Sequence, residues 1–205
     1  MTKPATHSLV IFLHGVGSNG ADLLQLANSW RSALPGTRFV APDAPSPSDF
    51  GTGRQWFSVA GITAANRAGR VLAAREGFNR TLTEIVSAHE LGDHLERVVL
   101  VGFSQGSIMA LDALSSGSWP VAAIVCFSGR LASPGPILPS RRTRLLLIHG
   151  QADPVIPAEE SVKAAERLRK HGIDVDLVLL PGVGHTISRD GAMVAAYTIG
   201  KSLRS

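Results

Sequence analysis

The 205-residue chain contains a single cysteine, Cys126. An internal disulfide is therefore excluded, and so is a zinc site built on cysteine. Long apolar runs are also missing. The longest, residues 121–127, has seven members, far short of the roughly 20 that a membrane-spanning helix needs. Near the N-terminus the apolar run covers only residues 9–13, shorter than the about 7–15 residues of a secretory h-region. No signal peptide is expected, and without paired cysteines the expected compartment is the cytoplasm. Aromatics make up 5% and charged residues 18%, against 44% apolar. That balance excludes disorder, collagen and coiled coil.

What remains is one domain's worth of chain, residues 1–205, with no linker, repeat or low-complexity tract. A chain of this length buries about 70% of its unfolded surface. Net charge is +4, but the charges are dispersed. The densest basic run, Arg141, Arg142 and Arg144, has no aromatics beside it for base stacking. It reads as a solvated loop rim, and no nucleic-acid partner is expected.

Short apolar runs alternate with longer helical patterns. Residues 9–13, 38–41, 98–102, 121–127, 145–148 and 175–180 read as strands. They are continuous rather than alternating, as strands buried on both faces are. Helices are expected over 21–33, 64–89, 105–115, 158–171 and 190–203. In the second, Ala68, Val71, Leu72, Phe78, Leu82, Ile85 and Val86 recur at helical spacing. In the fourth, Glu159 and Glu160 open the first turn, and Gly172 follows the last. The closing helix places Met193, Ala196, Tyr197 and Gly200 on one face. Strand–helix alternation implies an α/β fold, with a mainly parallel central sheet and helices on both faces. The one long irregular stretch, residues 42–62, is rich in Pro, Ser and Gly, and such loops are usually functional.

The chemistry concentrates in Gly102-Phe103-Ser104-Gln105-Gly106, which leaves a strand and opens a helix. Reversal within one residue holds the serine in a strained conformation and demands small neighbours at both flanks. Such a serine is a candidate nucleophile, and it needs a base. Of the seven histidines, His89, His94 and His171 sit at helix ends or in polar loops. His185, in a glycine-rich loop after the last strand, emerges at the same sheet edge as Ser104. An imidazole in that role needs an acid. Asp153 follows the strand over 145–148, with an Asx turn as the alternative reading and Glu159 and Glu160 as rivals. The order Ser104, Asp153, His185 is that of α/β-hydrolases. An oxyanion hole would take the N–H of Gln105 and one from His14-Gly15-Val16-Gly17-Ser18-Asn19-Gly20. A phosphate-cradling reading of Gly15, Gly17 and Gly20 lacks the acidic residue about 20 positions on.

Phe12-Leu-His-Gly-Val-Gly-Ser, Gly102-Phe-Ser-Gln-Gly, His149-Gly-Gln-Ala-Asp-Pro-Val-Ile-Pro and Gly184-His185 together resemble the phospholipase/carboxylesterase family. That family includes bacterial carboxylesterases and acyl-protein thioesterases, and the resemblance covers nearly the whole chain. It implies an α/β-hydrolase fold without a cap domain, a Ser104–Asp153–His185 triad, and oxyanion donors at Val16 and Gln105. It also places Trp56, with Phe57 beside it, at the acyl site. Many family members dimerise, so a homodimer is compatible with it. Neither cofactor nor metal is implied. One departure is Ser107, where the family usually has Gly or Ala; looser helix packing is expected there. A dienelactone-hydrolase reading would require a cysteine nucleophile, whereas Cys126 falls inside a strand. The expected activity is hydrolysis of short-to-medium acyl esters. Lysophospholipase or thioesterase action on longer chains is the alternative, and a non-catalytic binding module the remote one.

Overall fold

The computed structural model describes residues 7–138, 140 and 142–204. Six strands form one parallel sheet: β1 (Ser8–Leu13), β2 (Thr37–Val40), β5 (Val98–Phe103), β6 (Ala123–Phe127), β7 (Arg144–Gly150) and β8 (Val175–Leu180). Their spatial order is β2-β1-β5-β6-β7-β8. A small antiparallel pair, β3 (Ser46–Pro47) and β4 (Arg54–Gln55), lies within the long irregular stretch. Two-residue strands carry no periodicity, so the sequence gives no sign of them.

Period-2 alternation sends each strand's side chains to two cores. Leu9, Ile11 and Leu13 of β1 face one way, with Val98 and Leu100 of β5. Val10 and Phe12 face the other, with Val99 and Val101. Helices α2 (Ala64–Ala88), α3 (Gln105–Ser115) and α4 (Glu159–Arg169) cover the first face. Helices α1 (Gly20–Trp30) and α5 (Arg189–Ser202) cover the second. Each fully buried Leu, Ile or Val contributes about 1.5–3 kcal/mol. This is the expected α/β-hydrolase architecture.

In α5 the buried residues include Ala192, Ala195, Ala196 and Ile199, and the small alanines let the helix lie close on β6 and β7. Met193 and Tyr197 share a face with Ala196 and Gly200, lining one cavity with Trp30, and are 62% and 70% exposed. Two expectations need correcting. Leu72 of the apolar α2 set is 49% exposed. Loosening at Ser107 is absent, since that side chain is fully buried and its Oγ donates to the Phe127 carbonyl at 2.8 Å. Of the basic run, Arg141 lies outside the described residues. Arg142 and Arg144 line a cavity of about 620 Å³ with Arg97 and Arg204, where the strands begin. Among the described residues no helix is long and apolar enough to cross a membrane.

The α2–α3 contact is fixed by a charge pair. Arg75 Nε and one terminal nitrogen donate to the two Asp112 carboxylate oxygens at 2.8 and 2.9 Å. Asp112 is 1% exposed. Its charge is therefore tolerated only while the guanidinium is present. Arg75→Met should destabilise the fold by about 3–5 kcal/mol, read as a lower urea midpoint at unchanged slope. Asp112→Leu introduced alongside should recover much of that loss.

Candidate active site

At the C-terminal edge of the sheet, β5 turns into α3 through Ser104 at φ 51°, ψ −113°. That left-handed backbone is costly for a residue with a Cβ. The surroundings impose it. A Cβ at Gly106 would collide with the Leu13 carbonyl. One at Gly102 would lie 2.5 Å from the Ser107 amide nitrogen. Helix and strand thus meet backbone to backbone, and Ser104 is held at the turn.

Ser104 Oγ lies 3.0 Å from His185 Nε2, and His185 Nδ1 donates to Asp153 Oδ2 at 2.7 Å. The three side chains come from the β5–α3, β8–α5 and β7–α4 connections. Asp153 also answers to its alternative reading. Its Oδ1 accepts the Val155 and Ile156 N–H groups, both at 2.9 Å, in an Asx turn. One oxygen builds the loop and the other meets the imidazole. Burial by itself pushes the Asp153 carboxyl up. Hydrogen bonds from His185, Ile156, Val155 and Ser128 outweigh it and hold the group at about 2. The rivals lie elsewhere: Glu159 is exposed, and Glu160 pairs with Arg130 and Lys163, each at 3.6 Å.

Gly15 packs over the turn; a Cβ there would lie 3.3 Å from Ser104 Cβ. Val16, the next residue, lines the same cavity as Ser104. The Gln105 N–H is the first of α3, where unpaired amides and the helix dipole favour negative charge. Among the described residues neither the Val16 nor the Gln105 amide has a hydrogen-bond partner. The phosphate reading of this loop meets a negative environment. The α1 N-terminus is closed by its own Asn19–Asp22 capping box, and the Gly20 N–H is bonded to Asp43.

Several supports escaped the sequence. The Gln105 side chain clasps the 56–57 segment, accepting from Trp56 N and donating to the Phe57 carbonyl, both at 2.7 Å. Asp49 ties the same loop by accepting from Gln55, Ala60, Ser58 and Val59, and those bonds hold its carboxyl at about 2. His14 Nδ1 donates to the Gly15 carbonyl while Nε2 accepts the Ala44 N–H at 2.9 Å. Burial lowers its pKa, in keeping with a neutral ring. His149 Nε2 donates to the Ile156 carbonyl at 2.8 Å, bracing the Asp153 turn. Only the glycines and the spacing of the Ser104 turn carry a recognisable pattern; these bonds cross between loop segments at irregular spacing.

Trp56 is not where the resemblance put it. It is 3% exposed, its indole N–H donates to the His14 carbonyl at 3.0 Å, and its ring packs edge-on against Phe78. A cavity of about 180 Å³ beside Ser104 is lined instead by Phe57, Val59, Ile62 and Ile108, among others. Cys126 is buried, which pushes its thiol up and leaves it inert. Among the described residues no group of three or more His, Cys, Asp or Glu side chains could hold a metal ion.

Residues 2–203 match the phospholipase/carboxylesterase family. The chain belongs to that family. Relatives agree with it. The chain is 36% identical over 203 residues to esterase YpfH of Escherichia coli, covering 97% of this chain and 86% of that one. It is 30% identical over 198 residues to acyl-protein thioesterase 1 of Gibberella zeae, covering 86% and 83%. The crystal structure of esterase PE8 superposes with a TM-score of 0.83 at 34% identity, covering 97% and 94%. This family member is thus a carboxylesterase- or acyl-protein-thioesterase-like hydrolase.

Two measurements check the geometry. Trp56→Ala should cost about 3–5 kcal/mol of stability, because the ring is structural; a purely kinetic effect in denaturant titrations would contradict this. For Asp153, the folded pKa near 2 lies below the ordinary 3.8. Its ionisation therefore stabilises the fold fully above that ordinary value, and the benefit is lost as pH falls towards 2. The stability difference between the parent and Asp153→Asn should shrink across that window and stay level above it.

Proposed function

We propose that this hydrolase cleaves short-to-medium acyl esters through an acyl-enzyme on Ser104. The Ser104 Oγ proton passes to His185 Nε2 as Oγ attacks the ester carbonyl. Negative charge gathers on the carbonyl oxygen, facing the Val16 and Gln105 N–H groups. The tetrahedral intermediate collapses, His185 returns the proton to the leaving alcohol, and the acyl group stays on Ser104. Water then repeats the sequence, releasing the acid and restoring the serine. Asp153 holds the imidazole tautomer and stabilises the imidazolium without taking up the proton, in keeping with its low pKa.

The observation that carries this reading is the continuous line of hydrogen bonds from Ser104 through His185 to Asp153, at 3.0 and 2.7 Å. The two unpartnered amides beside the serine support it, as does kinship to an esterase. A binding module would need none of these together. The cavity of about 180 Å³ favours short acyl groups over long ones.

The test is a panel of p-nitrophenyl esters from two to sixteen carbons. Each buried methylene adds about 0.8 kcal/mol until the cavity is full, so kcat/KM should climb to about four to eight carbons and then flatten. A steady climb to sixteen would favour a lipid or long-chain thioester substrate. Asp153→Asn should lower kcat roughly 10⁴-fold, with KM little changed. Near-normal turnover would remove Asp153 from the mechanism.

A further inference from the structure

The cavity beside Ser104 contains more than apolar walls. Two arginines, Arg67 at the start of α2 and Arg130 after β6, line it together with Phe57, Val59, Ile62 and Val155. Among the described residues no carboxylate lines it. Compensation comes from Glu160, whose one oxygen lies 3.6 Å from Arg130 Nε and whose other lies 3.6 Å from Lys163 Nζ. One acid is thus shared between an arginine of the cavity and a lysine outside it. Burial, then the neighbouring Arg130 charge, work against the Arg67 cation, and the Glu160 charge offsets them only in part. A site for a plain hydrocarbon chain has no use for such an arrangement, because two guanidinium groups held against apolar walls cost solvation. An anion between them would relieve the repulsion and accept paired hydrogen bonds.

Which half of the ester enters follows from the proton path. The leaving oxygen must lie next to His185 Nε2 to be protonated. His185 does not line this cavity, whereas Ser104, Gln105 and Val16 do. The group in the cavity is therefore the acyl group.

Resting on the esterase reading above, we infer that the preferred substrates are esters whose acyl chain ends in a carboxylate: half-esters of short dicarboxylic acids, with the methylenes against Phe57, Val59 and Ile62 and the carboxylate between Arg67 and Arg130. The reaction is the same hydrolysis, and it releases an alcohol and a dicarboxylate.

The test uses the full chain. Ethanol release is followed from the monoethyl esters of succinate, glutarate and adipate, each against ethyl butyrate, valerate or hexanoate of equal chain length. At least one charged ester should exceed its neutral counterpart by about tenfold or more in kcat/KM, mainly through KM, as a charge-assisted pair would provide. Arg67→Gln combined with Arg130→Gln should bring that ratio to about one, and Glu160→Gln should raise it by freeing Arg130. Ratios below tenfold throughout overturn the proposal, as does a ratio that survives the double variant or falls in Glu160→Gln. Calorimetric titration of Ser104→Ala separates binding from turnover. Tighter binding of at least one of the three monoethyl esters than of its neutral counterpart supports the charged acyl site, even if neither series is hydrolysed and the esterase reading fails. Equal or weaker binding of all three overturns it.

Discussion

The backbone contact between α3 and the sheet is the constraint on which the rest depends. Gly106 meets the Leu13 carbonyl with no room for a side chain. That contact brings α3 down onto β1 and β5, and the chain can only turn into the helix with Ser104 at φ 51°. The strain there is sustained by the length of α3, every residue of which is buried. It also has a chemical consequence. A serine at this turn cannot bury its hydroxyl in its own helix, so Oγ projects over the sheet edge where His185 waits.

The remaining groups reach that edge because all six strands of the main sheet run parallel and end together. Register alone brings Ser104 beside Ser128, since Phe103 pairs with Phe127. Ser128 shares the positive φ, at 49°, and its side chain contributes to holding the Asp153 charge. A lattice of buried amide and imidazole contacts then stiffens the loops. Gln105 locks the 56–57 segment to the nucleophile turn, and Trp56 in turn locks the loop after β1 through the His14 carbonyl. The residue after the serine thus acts through its side chain, which shapes the cavity wall at Phe57, while its amide opens α3 with no partner among the described residues.

Much of this was legible in the chain itself. The sheet strands were readable because burial on both faces yields unbroken apolar runs, and the turn at Ser104 because sterics force its glycines. The nearness of Asp153 and His185 to Ser104 followed from their positions past strand ends. The failures share a cause. Trp56 was placed at the acyl site by likeness, yet whether a tryptophan faces a cavity or a core depends on distant partners, here Phe78 and His14. The Gln105 clasp and the Arg67–Arg130 pair join positions 48 to 63 residues apart, a separation at which no local pattern exists.

The central proposal is that the fold singles out Ser104 by geometry for attack on acyl carbonyls. Reaction with a fluorophosphonate, followed by intact-mass measurement and peptide mapping, tests it most directly. The account predicts one adduct per chain, located on Ser104 and formed far more slowly in His185→Ala. A folded, ester-cleaving protein that takes its adduct on another residue, or takes none, would contradict it.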